Sequence, residues 1–377
     1  MQVRIEIVKL NKGDEPVPDV EDIPLDVTAA HLDLTNLRAT SLPSLAPMRA
    51  LQRLVLRQNW LTSFNYLTAG CPHLTELDLY ENKIQTIAKP EDVAAATAEE
   101  DVHEEAETAA AAPAAPAAAA GEAAAPTSSA ASTAAAAAAA VPAPRGCLFP
   151  PDLVVLDLSF NSIKHLENLG HLHHLRELYL VSNKIKRIQG LEGLSKLRLL
   201  ELGSNSLRHI DGSALSHVPN LEELWLGRNK IQVIEGLDHL TKLRKLSIQS
   251  NRLTAIGNGL ERLTNLRELY LSHNGLTGSP LGLSTLIQLT TLDLSGNRLT
   301  TLEGAGIEKL LKMEELWLNN NEMGWDGVRG VFSALAGSLQ TIYLEHNPLQ
   351  KEQSAQEYVS KVRAIVPKLT QLDAHYF

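Results

Sequence analysis

The 377-residue chain has two cysteines, Cys71 and Cys147. It therefore lacks the disulfide framework that closes the ends of many secreted repeat proteins. The first fifteen residues, MQVRIEIVKLNKGDE, hold no apolar run of signal-peptide length. No stretch of membrane-spanning length is free of polar breaks and proline. These absences imply an intracellular, reducing compartment. Basic residues are missing from one long region: no Lys or Arg occurs between Lys89 and Arg145, while nine acids do. The formal net charge is -10, so the rest of the chain is close to neutral. Nothing in this balance suits a nucleic-acid partner or an anionic membrane.

Catalytic signatures are missing too. There is no Gly-rich phosphate loop, no Cys-x-x-Cys and no His-Glu-x-x-His. His171, His173 and His174 cluster without a nearby column of acids, which reads as a solvated surface, since a zinc site needs convergent ligands. No enzyme activity, metal or cofactor is expected.

What the chain has is leucine at a fixed period. The pattern L-x-x-L-x-L-x-x-N is clearest at 175–183 and returns at 197–205, 221–229, 243–251, 266–274 and 289–297. Looser copies end at Asn59, Asn82, Asn161, Asn321 and Asn347, and from Asn161 onward the asparagines are 22 to 26 residues apart. This is the signature of a leucine-rich repeat solenoid. In Leu178-Tyr179-Leu180 alternate residues point to opposite faces, giving a short strand with leucines inward and Tyr179 outward. The asparagine follows, where its amide can satisfy backbone groups that the turn leaves unpaired. No repeat buries its leucines alone, so stability comes from stacking. The predicted fold is an α/β solenoid of about twelve 22-residue repeats. It has a curved parallel sheet on the concave side, short helices or turns on the convex side, and a C-terminal helical cap.

Five regions follow. Residues 1–30 carry Pro16, Pro18 and Pro24 and leave two readings open: an edge cap with one strand at 3–8, or a disordered tail. Repeats occupy 31–90. Asn82 and Asn161 are then 79 residues apart, 57 beyond one period. The excess, 91–147, is Ala-rich and acidic, broken by Pro113, Pro116 and Pro126, and reads as a disordered insertion on the convex side. Repeats resume over 148–349. In 350–377, Tyr358, Val359, Val362, Ile365 and Val366 fall at helical spacing, as expected of a cap over the last repeat.

The outward residue of each strand reads Asp33, Val55, Asp78, Asp157, Tyr179, Glu201, Trp225, Ser247, Tyr270, Asp293, Trp317, Tyr343. Aromatics are 4% of the chain, so twelve positions would carry about half of one by chance, against five found. Core demand does not explain them, because alternation points them outward. A row of exposed rings marks a partner surface. Interleaved acids without a basic residue point to a partner with basic and apolar features. Glu177, Glu223, Glu268 and Glu315 sit one step outward on the same face and read mainly as solvated.

The segments LVLRQN, ELDLYENKI, LDLSFN, LYLVSNKI, LELGSN, LSIQSNRLT, LRELYLSHNGL and YLEHNPLQK, in this order, resemble the leucine-rich-repeat regulatory subunits of type-1 protein phosphatase. The resemblance runs from about Leu51 to Ala374 apart from the insertion. It implies a non-catalytic protein that grips the phosphatase catalytic subunit on its concave face. The family it points to is nuclear and cytoplasmic, serves chromosome segregation, and holds inactive catalytic subunit, often with inhibitor-3 as a third component. Carried over by motif, the implied contacts are Asp157, Tyr179, Glu201, Trp225, Asp293, Glu315, Trp317 and Tyr343. The family usually has Phe at the positions of Tyr179 and Trp225. A leucine-rich-repeat adaptor of the cytoskeleton or axoneme is the competing reading, since some dynein-associated light chains share the 22-residue period.

Overall fold

The computed structural model describes residues 2–9, 17–42, 45, 47–62, 71–87, 149–351 and 353–377. The 91–147 insertion lies outside them. Strands β1 (Gln2–Lys9) and β2 (Val17–Pro24) form an antiparallel hairpin. The repeats then contribute β3 (His31–Asp33), β4 (Arg53–Val55), β5 (Glu76–Asp78), β6 (Val155–Asp157), β7 (Glu177–Tyr179) and β8 (Leu199–Glu201). They continue with β9 (Glu223–Trp225), β10 (Lys245–Ser247), β11 (Glu268–Tyr270), β12 (Thr277–Gly278), β13 (Thr291–Asp293), β14 (Arg298–Leu299), β15 (Glu315–Trp317) and β16 (Thr341–Tyr343). All but β12 and β14, which pair with each other, join one parallel sheet in chain order. Strands β17 (Gln371–Leu372) and β18 (His375–Tyr376) complete it to fourteen. The fold is the leucine-rich repeat solenoid that the period predicts, with few helices.

The turn asparagines explain why the repeats stack in register. Asn183 donates to the Leu180 carbonyl of its own turn (3.2 Å) and the Leu158 carbonyl of the preceding repeat (2.9 Å). Its Oδ1 accepts from the Ile163 N–H at 2.9 Å. Asn205, Asn229, Asn297 and Asn321 repeat these contacts. Each amide thus ties one turn to its neighbour as well as closing its own. The residue before each asparagine is left-handed, from Gln58 (φ 56) to His346 (φ 58), and only at Gly296 is it glycine. Such a conformation costs about 1–3 kcal/mol for a non-glycine residue and persists because the surrounding bonds over-determine it.

The core is a stack of aliphatic side chains, closed at both ends. At the start, Ile5 and Ile7 of β1 are buried. Val8 N–H donates to the Arg38 carbonyl, and Thr40 N–H donates to the Glu6 carbonyl, so the hairpin covers the first repeat. Two strands form where the sequence suggested at most one, because β2 is an edge strand, where proline is tolerated. At the far end the Ser354–Glu357 capping box opens helix α3 (Ala355–Ile365), which follows the short α1 (Gly212–Leu215) and the longer α2 (Asp326–Leu335). Tyr358, Val362, Val366, Leu369 and Leu372 are buried there. Asp373 accepts from the Leu344 and Glu345 N–H groups and from Tyr358 Oη at 2.7 Å, so at Leu344 its carboxylate takes the place of the next strand's carbonyl, as Tyr343 O serves Leu318 N–H one repeat earlier.

Candidate functional site

The sheet aligns the outward residues into one column. Asp33, Val55, Asp78, Asp157, Tyr179 and Glu201 are consecutive register partners. Trp225, Ser247, Tyr270, Asp293, Trp317 and Tyr343 continue the line. Seven of the eight residues singled out from sequence stand in this column, and Glu315 stands beside it, at the start of β15.

The column is two kinds of surface. In its later part the rings lean together. Trp225 and Tyr270 stack at 6.0 Å between centroids, although a whole strand separates theirs. At the usual strand spacing, two strands are about 9.6 Å apart. Ser247 between them is small and only 1% exposed. Trp317 meets Tyr270 edge-on at 6.3 Å and Tyr343 at 5.5 Å. Asp293 lies beneath the Tyr270–Trp317 pair, 3% exposed. The expectation of freely exposed rings and acids needs this correction: Ser247 and Asp293 are buried by their larger neighbours. Alternation decides which face a side chain takes, and neighbours on that face decide how much water it meets.

The glutamates one step outward do more than meet solvent. Tyr179 Oη donates to Glu177 at 2.8 Å, Trp225 Nε1 to Glu223 at 3.2 Å and Tyr270 Oη to Glu268 at 2.9 Å. Burial, reinforced by these bonds, holds the Tyr179 and Tyr270 hydroxyls well above the ordinary tyrosine value, so both act as donors. The fourth Glu-Leu-aromatic strand breaks the pattern. Trp317 Nε1 is buried and meets no acceptor among the described residues.

In the earlier part the acids serve their own chain. Asp33 Oδ1 accepts from Thr35 N–H, Asp78 Oδ1 from Tyr80 N–H and Asp157 Oδ1 from Ser159 N–H, at 2.9, 3.1 and 2.8 Å. Asp293 does the same with Ser295 at 2.9 Å. No column position is Lys or Arg, yet the face around the column is not free of basic residues. Arg57 pairs with Asp78, reaches Asp157 at 3.8 Å and lies over the Tyr80 ring at 5.1 Å. Arg57 lies outside the three-residue strand, so the strand positions alone do not show it. Carrying the alternation two residues past Val55 puts Arg57 on the same face.

Glu201 differs from the other four acids of the column: no hydrogen bond or ion pair joins its carboxylate to any described residue. Burial, then repulsion from Asp157, raises its pKa; burial also raises that of Asp157.

His171 is half-buried, its Nε2 2.9 Å from the Phe149 carbonyl, and burial lowers its pKa. Among the described residues no three His, Cys, Asp or Glu side chains converge as metal ligands.

Comparison with known proteins agrees with the architecture. Leucine rich repeat profiles match residues 195–253, 241–299 and 264–323, a two-copy profile matches 151–193, and a further repeat profile matches 70–86. The chain belongs to the leucine-rich repeat family. It is 42% identical over 71 residues to the protein phosphatase 1 regulatory subunit SDS22 of Schizosaccharomyces pombe. That match covers 19% of this chain and 20% of the yeast protein. Among solved structures, an internalin of Listeria monocytogenes superposes with a TM-score of 0.58 at 19% identity, over 92% of this chain and 87% of its own. A leucine-rich-repeat protein of Leptospira interrogans gives 0.54 at 23% identity, over 86% and 73%. These likenesses concern the fold alone.

Proposed function

We propose that the chain is a non-catalytic regulatory subunit of type-1 Ser/Thr protein phosphatase, holding the catalytic subunit against the outer face of its sheet. The observation that carries this reading is the aromatic run Trp225–Tyr270–Trp317–Tyr343, continuous over five intervals of the sheet and bordered by Glu201 and Glu315. Large rings anchor interfaces, and carboxylates at their border select a basic partner. The match to the yeast phosphatase subunit supports the same partner. The contact set is Asp157, Tyr179, Glu201, Trp225, Asp293, Glu315, Trp317 and Tyr343, with Asp293 acting from beneath the rings. Regulation requires no chemistry from this chain: occupancy of the catalytic subunit controls its activity or availability. Nuclear and cytoplasmic pools, and inhibitor-3 as a third component, belong to the same proposal.

The test is affinity capture with the full chain, followed by a binding isotherm with purified phosphatase catalytic subunit. A stoichiometric complex is expected. No measurable association of the purified proteins would overturn the reading.

A further inference from the structure

The edge of the sheet where the strands begin carries a different chemistry from the outer face. The backbone ladder starts one or more residues early there. Arg198 N–H donates to the Arg176 carbonyl, Glu222 N–H to that of Arg198, Arg244 N–H to that of Glu222 and Arg267 N–H to that of Arg244. Arg176, Arg198, Glu222, Arg244 and Arg267 therefore stand in consecutive order along this edge, over about 19 Å at the usual strand spacing. Lys196 and Lys242, two residues before Arg198 and Arg244, widen the row. All six cations are exposed.

Glu222 is the one acid of the row, 3.7 Å from Arg198 on one side and from Arg244 on the other. Lys196 meets His174 Nδ1 at 3.3 Å and Lys242 donates to the Asn220 side-chain carbonyl, so neither is neutralised. Arg176 and Arg267 have no acidic partner among the described residues. The nearest glutamates toward the outer face, Glu177, Glu223 and Glu268, already bond Tyr179, Trp225 and Tyr270. Six cations against one carboxylate make a basic strip on a chain whose formal net charge is -10.

A shape accompanies the charge. Lys242, Arg244, Asn265, Arg267 and Gln288, with Glu222, line a shallow depression of about 230 Å³. Gln288 accepts from Lys312 Nζ at 2.5 Å, and Lys312 lines the next depression, of about 540 Å³, together with Leu311. Leu311 is 66% exposed. The basic strip thus runs on to a bare leucine.

We propose that this edge docks an extended, Asp/Glu-rich segment of a protein partner, with an apolar residue at one end of that segment seated on Leu311. The surface is separate from the outer face and does not depend on what that face binds. The occupant follows from length, charge and border. About six extended residues span 19 Å at ~3.3 Å each. Guanidinium groups pair carboxylates in a two-bonded fork, and the Asn265 and Gln288 amides between them suit a peptide backbone. A duplex or a flat anionic membrane is wider than one extended chain and would also meet Glu314 and the bordering glutamates, which repel it.

The test follows fluorescence anisotropy of a labelled peptide of consecutive glutamates ending in two leucines, titrated with the full chain. Saturable binding that weakens as salt rises is expected. Arg198→Glu/Arg267→Glu should weaken it by about tenfold or more, because like charges then face each other. The control Arg208→Glu/Arg329→Glu, matched in net charge at exposed positions off this edge, should bind like wild type. Leu311→Ser should weaken binding by a smaller factor, and not at all for a probe lacking the leucines. Circular dichroism reports the fold; if the edge reversal does not fold, Arg198→Gln/Arg267→Gln decides by the same ranking. No saturable binding by the wild type, equal weakening by the control, or tighter binding of phosphatidylserine vesicles or of an oligothymidine would each overturn the proposal. A parallel loss of phosphatase affinity in the edge variants would overturn the separation of the two surfaces.

Discussion

The two halves of the sheet face use the same three-residue strand differently. From Asp33 to Asp157 the outward carboxylates turn back and accept from the N–H two residues on, and Arg57 spans Asp78 and Asp157. From Trp225 to Tyr343 the outward side chains are rings in mutual contact, with the small residue and the acid between them buried. An outward position is therefore no proof of a partner. Extended backbone leaves alternate N–H groups outside the ladder, and an Asp satisfies the one two residues later. Beyond Asp157 and Asp293, which would meet a partner while bonded to their own chain, what the chain leaves unused is the ring faces and the Glu201 and Glu315 carboxylates.

The sharpest way to break this division is at Trp317. Trp317→Ala should cost roughly 2–4 kcal/mol of phosphatase binding, the range for losing an aromatic anchor, or about 30- to 1,000-fold in affinity. Folding should be nearly intact, because Trp317 lies outside the leucine core. Glu315→Ala should weaken binding less and lower its salt sensitivity. Wild-type affinity for both, measured by titration calorimetry, would show that the ring-bearing half is not the interface.

Asp78→Ala probes the other half. It removes an acceptor from Tyr80 N–H and the main partner of Arg57. Stability should fall by about 1 kcal/mol, the usual net worth of one such bond, with phosphatase affinity unchanged. A loss of affinity without loss of denaturation midpoint would extend the interface past Asp157 to Asp78.

How far the sequence revealed this arrangement depends on what each feature rests on. The repeat, its register and the column from Asp33 to Tyr343 were legible because a strand has a strict two-residue alternation and each turn ends in the same asparagine. The inter-repeat reach of that asparagine was not, since Asn183 bonds Leu158 and Ile163 only after stacking. The burial of Ser247 and Asp293 depends on neighbours 22 to 24 residues away in the chain, so residue type alone misleads. The N-terminal hairpin was obscured by Pro18 and Pro24, which an edge strand accommodates. Arg57 lies two residues past its strand, where the alternation still holds but the three-residue strand pattern no longer marks it.

Tyr270→Phe separates ring from hydroxyl within the aromatic run. It deletes only the bond to Glu268, which Lys245 also reaches at 3.2 Å. The ring contacts with Trp225 and Trp317 remain. A half-buried hydroxyl bonded to a charged acceptor contributes about 1 kcal/mol or less here, discounted for the water that still reaches the carboxylate. Binding should change less than for Trp317→Ala by an order of magnitude. An equal loss in the two variants would mean that the hydroxyl positions Glu268 for the partner.

The smallest expected effect is at Ser247, inside the ring-bearing half. Its side chain sits under the stacked Trp225 and Tyr270 rings, and its Oγ is buried with no hydrogen-bond partner among the described residues. A buried, unpaired hydroxyl is a cost, so replacing it by a methyl of similar size should be neutral or stabilising by up to about 1 kcal/mol. Ser247→Ala should therefore leave the denaturation midpoint equal or slightly raised, and leave phosphatase affinity alone, since the rings above it still meet. Ser247→Leu is the informative counterpart. Its extra volume forces Trp225 back toward Glu201 and should weaken binding without unfolding the core. If Ser247→Ala itself weakens binding at unchanged stability, the rings part on association and the hydroxyl reaches the partner. The stack seen here would then belong to the free protein only.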